Sequence, residues 1–467
     1  MTTIGPRRFL GYSFGNAGIA VLRQIVVFMP LYFYSPPPGQ GREYLRATAV
    51  GLALFLARLV DVVSDPIVGY WSDRTRHRWG KRLPYIVFGT PLWILFTVLI
   101  FTPPAAGHGT TNLVYLAVVG SLFFLSMTVV QIPYMAVLPE IAWREQDAVR
   151  VAARMGKFYI LGVLLILVGG WFLVGPCGFL GSATIFALFS GMALALAAAE
   201  LFGLEQRPVE NYRHRFWSGA LAIVRERPFW TYLVGHSLFV CGYYCILVAC
   251  PFYATEIVRL PRAFTGLFFL IPMLSAIVLT PLVERLTLRA GKKPVMLAAM
   301  IAFSAFALLW FLPGRLPGIE GGATLAGALG LEAGWASSVN LGVAAEAMLL
   351  FVLIGAPVAV QMLVPPALVA DLVVYDQRRN GQRRESLVYG LQGGIEKNAV
   401  MVATLVVSLA LQGGKAAADP AGIYMVGPAA AGLTLLGCLV FLLYPLKKGW
   451  QDESAEAPAD TLPANTR

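Results

Sequence analysis

The sequence predicts an all-α membrane protein, with twelve transmembrane helices in two bundles of six and both termini in the cytoplasm. Three observations indicate this. Of the 467 residues, 58% are hydrophobic and only 13% are charged, with a mean hydropathy of +0.69, whereas a soluble domain has about 25% charged residues. Long apolar runs alternate with short polar ones along nearly the whole chain. Finally, the basic residues concentrate in every other polar segment.

Each predicted helix is an apolar run long enough to cross a bilayer, which takes about 20 residues. The six runs of the first half cover residues 10–34, 46–72, 84–103, 112–138, 151–175 and 179–203. The six runs of the second half cover residues 228–255, 262–284, 294–313, 342–370, 386–412 and 421–445.

The basic residues orient these helices, because loops rich in Lys and Arg remain on the cytoplasmic side of a membrane. One set of alternate loops holds most of them, including Arg7, Arg8, Lys447 and Lys448 at its two ends. The opposite set holds only Arg42, Arg46, Arg259, Arg262, Arg315 and Lys415. We therefore expect both termini on the cytoplasmic side of a cell (inner or plasma) membrane. The formal charge of +11 then reflects topology and a lipid environment, and no nucleic-acid partner is predicted.

A polar linker at 204–227 divides the chain into an N-terminal bundle at 1–203 and a C-terminal bundle at 228–449, and a polar tail at 450–467 is predicted to be disordered. An internal similarity supports the division. The pair Gly80-Lys81 follows the second run, and Gly291-Lys292 follows the eighth. Glycine allows a tight turn between helices, and the lysines place cations near cytoplasmic helix ends. The repeated turns predict a duplicated unit of six helices, and we interpret them as gating turns.

The second run carries three charged residues, Arg58, Asp61 and Asp65, whose spacing places them on one side of a helix. One charge costs about 2.5–3.5 kcal/mol at the centre of a membrane helix. The three must therefore face one another, an ion or a water-filled cavity. A static ion pair between helices is one interpretation. The other is a cation site, favoured because two carboxylates and one arginine leave a net negative charge.

Three stretches resemble a known family. The twelve runs and paired basic turns look like the major facilitator superfamily. Within it, DVVSDPIVGYWSDRTRHRWGKRLPYIVFG is similar to the helix II signature of the glycoside–pentoside–hexuronide:cation symporters, the melibiose-permease group. QIPYMAVLPEI at 131–141 is similar to the end of that family's helix IV, and ADLVVYDQRRNGQRRESLVYGLQGGIEK at 370–397 to its helix X–XI region. The resemblance implies the major facilitator fold and cation-coupled transport.

The resemblance also implies roles for individual residues. Asp61 and Asp65 match the carboxylates that bind Na⁺, Li⁺ or H⁺ in that family, and Ser64 and Thr128 match hydroxyls near the ion. Lys397 matches a lysine of helix XI that lies close to the carboxylates, Arg58 an arginine of helix II, and Arg154 an arginine that helps to close the cytoplasmic side. The coupling ion is therefore expected to be Na⁺ or H⁺, with Li⁺ also open, and no organic cofactor is predicted.

The substrate positions depart from the family pattern. The helix I carboxylate of the sugar site falls near Ala20 or Val21, Gln131 replaces the helix IV carboxylate, and Met135 replaces the aromatic residue that stacks on the sugar. A galactoside site built on two acids is therefore not expected. Arg23 in the first run suits an anionic solute such as a hexuronide, or an acid elsewhere in the protein. Gln131 is still able to bond a sugar hydroxyl.

The leading hypothesis is a monomeric, cation-coupled symporter of a sugar, glycoside or hexuronide. The helix II motif also resembles that of animal lysophospholipid carriers, so an amphiphilic substrate is an alternative. A receptor or assembly factor that does not transport is a third reading, although it need not keep Asp61, Asp65 and Lys397. No enzyme is predicted, because only His236 among the four histidines lies within a run and no carboxylate accompanies it at helical spacing.

Overall fold

The computed structural model describes residues 9–141, 145–202, 223–313, 339–380 and 385–445. Within these ranges the protein is helical, and its one β-bridge is an isolated pair between Ala416 and Asp419. Most of the predicted linker and the whole predicted tail lie outside the described residues.

The described residues of the N-terminal half form seven α-helices. These are α1 Leu10–Phe28, α2 Pro30–Tyr34, α3 Ala47–Arg74, α4 Leu83–Leu99, α5 Thr110–Ile141, α6 Glu145–Leu164 and α7 Trp171–Leu201. A π-helical turn at Leu165–Gly170 joins the last two. The first predicted run is thus α1 and α2, which meet at Met29 because Pro30 has no N–H to continue the α1 hydrogen bonds.

In the C-terminal half, six α-helices lie within the described ranges. These are α8 Arg227–Glu256, α9 Thr265–Ala290, α10 Lys292–Leu308, α11 Leu341–Asn380, α12 Glu385–Ala410 and α13 Ala421–Leu442. Each corresponds to one predicted run, and α11 extends ten residues further than the run at 342–370.

Ten of the described helical segments are long and apolar enough to cross a bilayer, and α4 is a shorter apolar helix. One of the ten, Arg150–Leu201, has 52 residues, more than twice the roughly 20 that a single span needs. Gly178, with φ 68° and ψ 177°, breaks its helical geometry. The predicted boundary between the fifth and sixth runs, at 175–179, lies at this break. The protein is therefore a multi-pass membrane protein, and the count of twelve spans stays a prediction.

The two predicted gating turns share a backbone conformation. Gly80 has φ 92° and Gly291 has φ 93°, a region that residues with a Cβ rarely adopt. Beside the second turn, Lys292 lies 2.7 Å from an Oδ of Asp371 on α11, while Lys293 donates to backbone carbonyls at the end of α13. Lys293 thus binds the C-terminal end of a helix, where a cation interacts favourably with the helix dipole, whereas Lys292 binds a side chain within α11.

Helices of each half pack chiefly on one another. The halves meet mainly where α3 packs on α12, where α7 packs on the short 3-10 turn Arg262–Phe264, and where α9 packs on the π-helical turn before α7. The first and the last of these contacts are close: a Cβ at Gly51 would overlap the side chain of Ser408, and a Cβ at Gly266 would lie 2.7 Å from Val168 Cα. The interface between the halves therefore runs past α3 and α12, the helices that carry Asp61, Asp65 and Lys397.

Candidate functional site

The charged residues of α3 face inward, as their spacing predicts. Arg58 and Asp61 are 3% and 2% exposed, and Arg58 Nη2 lies 3.1 Å from Asp61 Oδ2. The guanidinium also lies over the ring of Phe124, with 4.5 Å between its carbon and the ring centroid. Pairing and ring contact compensate for the cost of a charge within a membrane helix.

A hydroxyl on α5 joins the two carboxylates. Thr128 Oγ1 is within hydrogen-bond distance of Asp61 Oδ1 and lies 2.9 Å from Asp65 Oδ1. Ser64 Oγ is 3.4 Å from Thr128 Oγ1. One hydroxyl proton serves a single acceptor at a time. Thr128 therefore donates to only one of the two aspartates. Its close contact with the other carboxylate oxygen is favourable only with an additional proton or a cation between the two oxygens.

Lys397 completes the cluster from the other half. Its Nζ lies 3.3 Å from Asp65 Oδ2 and 3.9 Å from Asp61 Oδ2, across 332 residues of sequence in the first case. With Arg58 and Lys397 the cluster has two cations for two carboxylates, so its formal charge is zero. The net negative charge expected from α3 alone is offset by a residue of α12. An added cation would therefore compete electrostatically with Lys397 for the carboxylates.

A cavity of about 420 Å³ lies between the halves next to this cluster. Its size falls within the range of about 300–1,000 Å³ usual for small-molecule sites. Aromatic rings of Tyr159, Tyr243 and Tyr244 line part of it. Six polar or charged side chains also line it: Arg23, Gln24, Gln131, Gln361, Glu396 and Lys397. Lys397 therefore belongs to the cavity and to the carboxylate cluster at once.

Several cavity groups make no hydrogen bond or ion pair with the residues that the structure describes. Buried carboxamide oxygens of Gln131 and Gln361 accept no hydrogen bond from described residues. Arg23 and Glu396 likewise make no hydrogen bond or ion pair within the described ranges. Buried polar groups are normally satisfied, so these four groups are suited to binding a polar solute. Sequence reasoning missed Glu396, although its position beside Lys397 in an apolar run was a visible signal.

The other predicted substrate and coupling residues lie elsewhere. Met135 on α5 is 39% exposed and is not among the described residues that line the cavity. Arg154 lies on α6, about one turn before the cavity residue Tyr159, and is half-buried. Both assignments remain predictions.

The halves are also joined at the end opposite the gating turns, where loops of the two halves exchange polar contacts. We call these contacts the polar lock. Lys415 binds Ser35 Oγ at 2.7 Å and pairs with Glu43. Gln40 donates to Glu256 at 2.7 Å and accepts from Arg262 at 3.0 Å. In this structure the lock joins the two halves at that end of the interface.

Comparison with known proteins identifies the family. A family model described as MFS/sugar transport protein matches residues 11–445. The chain belongs to this family. The family is one of transporters, and the major facilitator fold expected from the sequence is confirmed. The nucleoside transporter NupG has the same fold, with a TM-score of 0.61 over 95% of this chain and 99% of NupG, at 11% identity.

Two curated relatives are closer in sequence. An uncharacterized symporter of Synechocystis is 32% identical over 164 residues, which cover 34% of this chain and 29% of the relative. A glucuronide carrier protein homolog of Escherichia coli K12 is 25% identical over 395 residues, which cover 82% of this chain and 79% of the relative. The match thus spans less than a third of the first relative and most of the second.

Proposed function

We propose that the protein is a secondary active transporter that couples the movement of a cation to that of a sugar, glycoside or hexuronide by alternating access. The observation that carries this proposal is the place of Lys397, which contacts Asp65 and lines the cavity. A change at the carboxylates therefore reaches the solute site through one side chain. The symporter and glucuronide carrier names of the relatives agree with this reading.

The cation would bind among Asp61, Asp65, Thr128 and Ser64, which supply the oxygen ligands that hard cations prefer. Na⁺, Li⁺ or a proton would satisfy the two close contacts of Thr128. The bound charge weakens the attraction of both carboxylates for Lys397 and frees its ammonium for the cavity. The cation thus interacts differently with the two states of Lys397, paired with the carboxylates or released to the cavity. Coupling requires such a difference.

The solute would bind in the cavity beside the tyrosines. Gln131 and Gln361 offer carboxamide groups to hydroxyls, and Arg23 offers a bidentate partner to a carboxylate. These groups support a sugar or a sugar acid, with no organic cofactor. We further propose that the protein acts as a monomer in the inner membrane, with its termini and gating turns in the cytoplasm. The polar lock would then close the outer side.

Uptake into proteoliposomes tests the proposal. Radiolabelled glucose, glucuronate and a lysophospholipid are offered in turn under an inward Na⁺ gradient, an inward proton gradient or no gradient. We expect one sugar to accumulate above equilibrium under one cation gradient, and Asp65→Asn to abolish that accumulation. Exclusive accumulation of the lysophospholipid would replace the substrate class. If no sugar accumulates under either gradient, symport of this class is wrong.

A further inference from the structure

Glu396 has no part in the cation cluster, although it precedes Lys397 directly. On an α-helix, adjacent residues differ by about 100° in direction. Lys397 accordingly contacts the carboxylates of α3, whereas Glu396 lines the cavity without a hydrogen bond or ion pair to any described residue. A charged group in a membrane interior normally faces a partner or a water-filled space. Here the space is the cavity itself.

Arg23 approaches the same cavity from the other half. It lies on α1, Glu396 on α12, and the two are close enough to interact electrostatically without forming an ion pair. The pairing of Lys397 with Asp65 leaves Arg23 and Glu396 as the unpaired charges of the described cavity lining. Their signs are opposite. A solute between them meets a positive group from one half and a negative group from the other.

We propose that Glu396 is a specificity-determining residue that sets the charge preference of the cavity in opposition to Arg23. This inference rests on the proposed transport of a sugar-like solute. Arg23 favours an anionic group, because a guanidinium binds a carboxylate through two hydrogen bonds. Glu396 disfavours an anion and favours hydroxyl or ammonium donors, because its carboxylate is an acceptor. Their balance determines which charged forms of a sugar bind.

Three probes of the same ring size and different charge test the proposal: glucuronate, glucose and glucosamine. Their dissociation constants are measured by calorimetry on the purified full chain in Na⁺ buffer. We expect Arg23→Gln to lower, and Glu396→Gln to raise, the affinity for glucuronate relative to glucosamine. Each shift should be about tenfold, the effect of exchanging one charge-assisted hydrogen bond for a neutral one. Glu396→Asp should retain the wild-type preference.

The ratio of the affinity for glucuronate to that for glucosamine separates specificity from stability. A variant that only loosens the fold weakens the binding of all three probes alike. Glu284→Gln is the matched control, because Glu284 is an exposed carboxylate on α9. An unchanged ratio in Glu396→Gln, or a shift in the same direction as Arg23→Gln, would overturn the proposal. So would a wild-type protein that binds none of the probes. A Na⁺-dependent rise in Tm, measured without sugar, reports separately on the cation site and hence on the proposed coupling.

Discussion

Removing Lys415 should release the polar lock. The change Lys415→Met deletes the ammonium that joins Glu43 and Ser35 to the other half. The two side chains of the ion pair are 15% and 35% exposed, so solvent screens much of their attraction. We therefore expect a loss of about 1 kcal/mol, the upper end for exposed pairs. That corresponds to an approximately fivefold shift from the closed toward the open arrangement of this end.

Distances between spin labels would measure the shift. One label is placed at Arg46→Cys and the other at Ala418→Cys, both exposed positions on loops of opposite halves. The background is Cys177→Ser, because Cys177 is exposed and the other four cysteines are buried. Lys415→Met should increase the population with the longer distance.

The matched control for this measurement is Arg42→Gln. Arg42 is a basic residue of the same loop as Glu43, and its guanidinium donates to Ala106 O within its own half. Its replacement should leave the distance distribution unchanged. An unaltered distribution in Lys415→Met, or an equal shift in the control, would refute the role of the lock.

Acid should open the lock in the same way. Burial raises the pKa of Glu43, but hydrogen bonds from Lys415 and Ser35 outweigh it, and the pKa lies below its ordinary value of 4.5. The closed arrangement favours the charged carboxylate. The contribution of Glu43 to the stability of the closed arrangement is therefore fully present above pH 4.5. It is lost as the pH falls through the lowered pKa of this carboxylate. The long-distance population should rise on acidification in wild type, and this rise should be smaller in Glu43→Gln, in which Glu256 is the remaining carboxylate named in the lock.

Three further predictions concern the site. Asp65→Asn and Asp61→Asn should each abolish cation-driven accumulation while the protein still folds, with the larger drop in Tm for Asp61→Asn because it removes the charged partner of Arg58; concentrative uptake by both variants would place the cation site elsewhere. Lys397→Gln should lose coupling and bind the cation more tightly, because the carboxylates lose a competing positive charge. If binding in this variant keeps the wild-type cation dependence, Lys397 has no coupling role. Melibiose should bind about two to four orders of magnitude more weakly than to a site with two acids and a stacking ring, and sub-millimolar affinity by calorimetry would contradict our reading of Gln131 and Met135.

The arrangement of α3 followed from spacing alone. Positions three and four residues apart share a helix face, and the structure places Arg58 against Asp61 with both carboxylates around Thr128. The contact of Lys397 did not follow from spacing, because 332 residues separate it from Asp65; the resemblance of the helix XI region supplied it. For the same reason, the net negative charge expected from α3 left out Lys397. The ammonium group that compensates this charge belongs to the other half.

The sequence pattern did not indicate which residues face the interface between the two halves. Gln361 and Glu396 lie within apolar runs whose inward faces the hydropathy pattern does not distinguish from their lipid-facing sides. The polar lock joins residues of short loops and helix ends, such as Gln40 and Glu256, which no periodicity relates to one another. By contrast, the repeated turns at Gly80 and Gly291 were visible in the sequence, because a tight turn with positive φ requires glycine.

The opposed charges of Arg23 and Glu396 have a consequence for the energy available to the transporter. One cation moving across 100 mV releases about 2.3 kcal/mol, enough to concentrate a neutral solute roughly fortyfold. A solute with one negative charge cancels the charge of a single coupling cation, and the voltage then contributes nothing. Only the concentration gradient of the cation drives such a cycle. The residues that set the charge of the cargo would thereby also decide whether the cell's membrane potential powers its uptake.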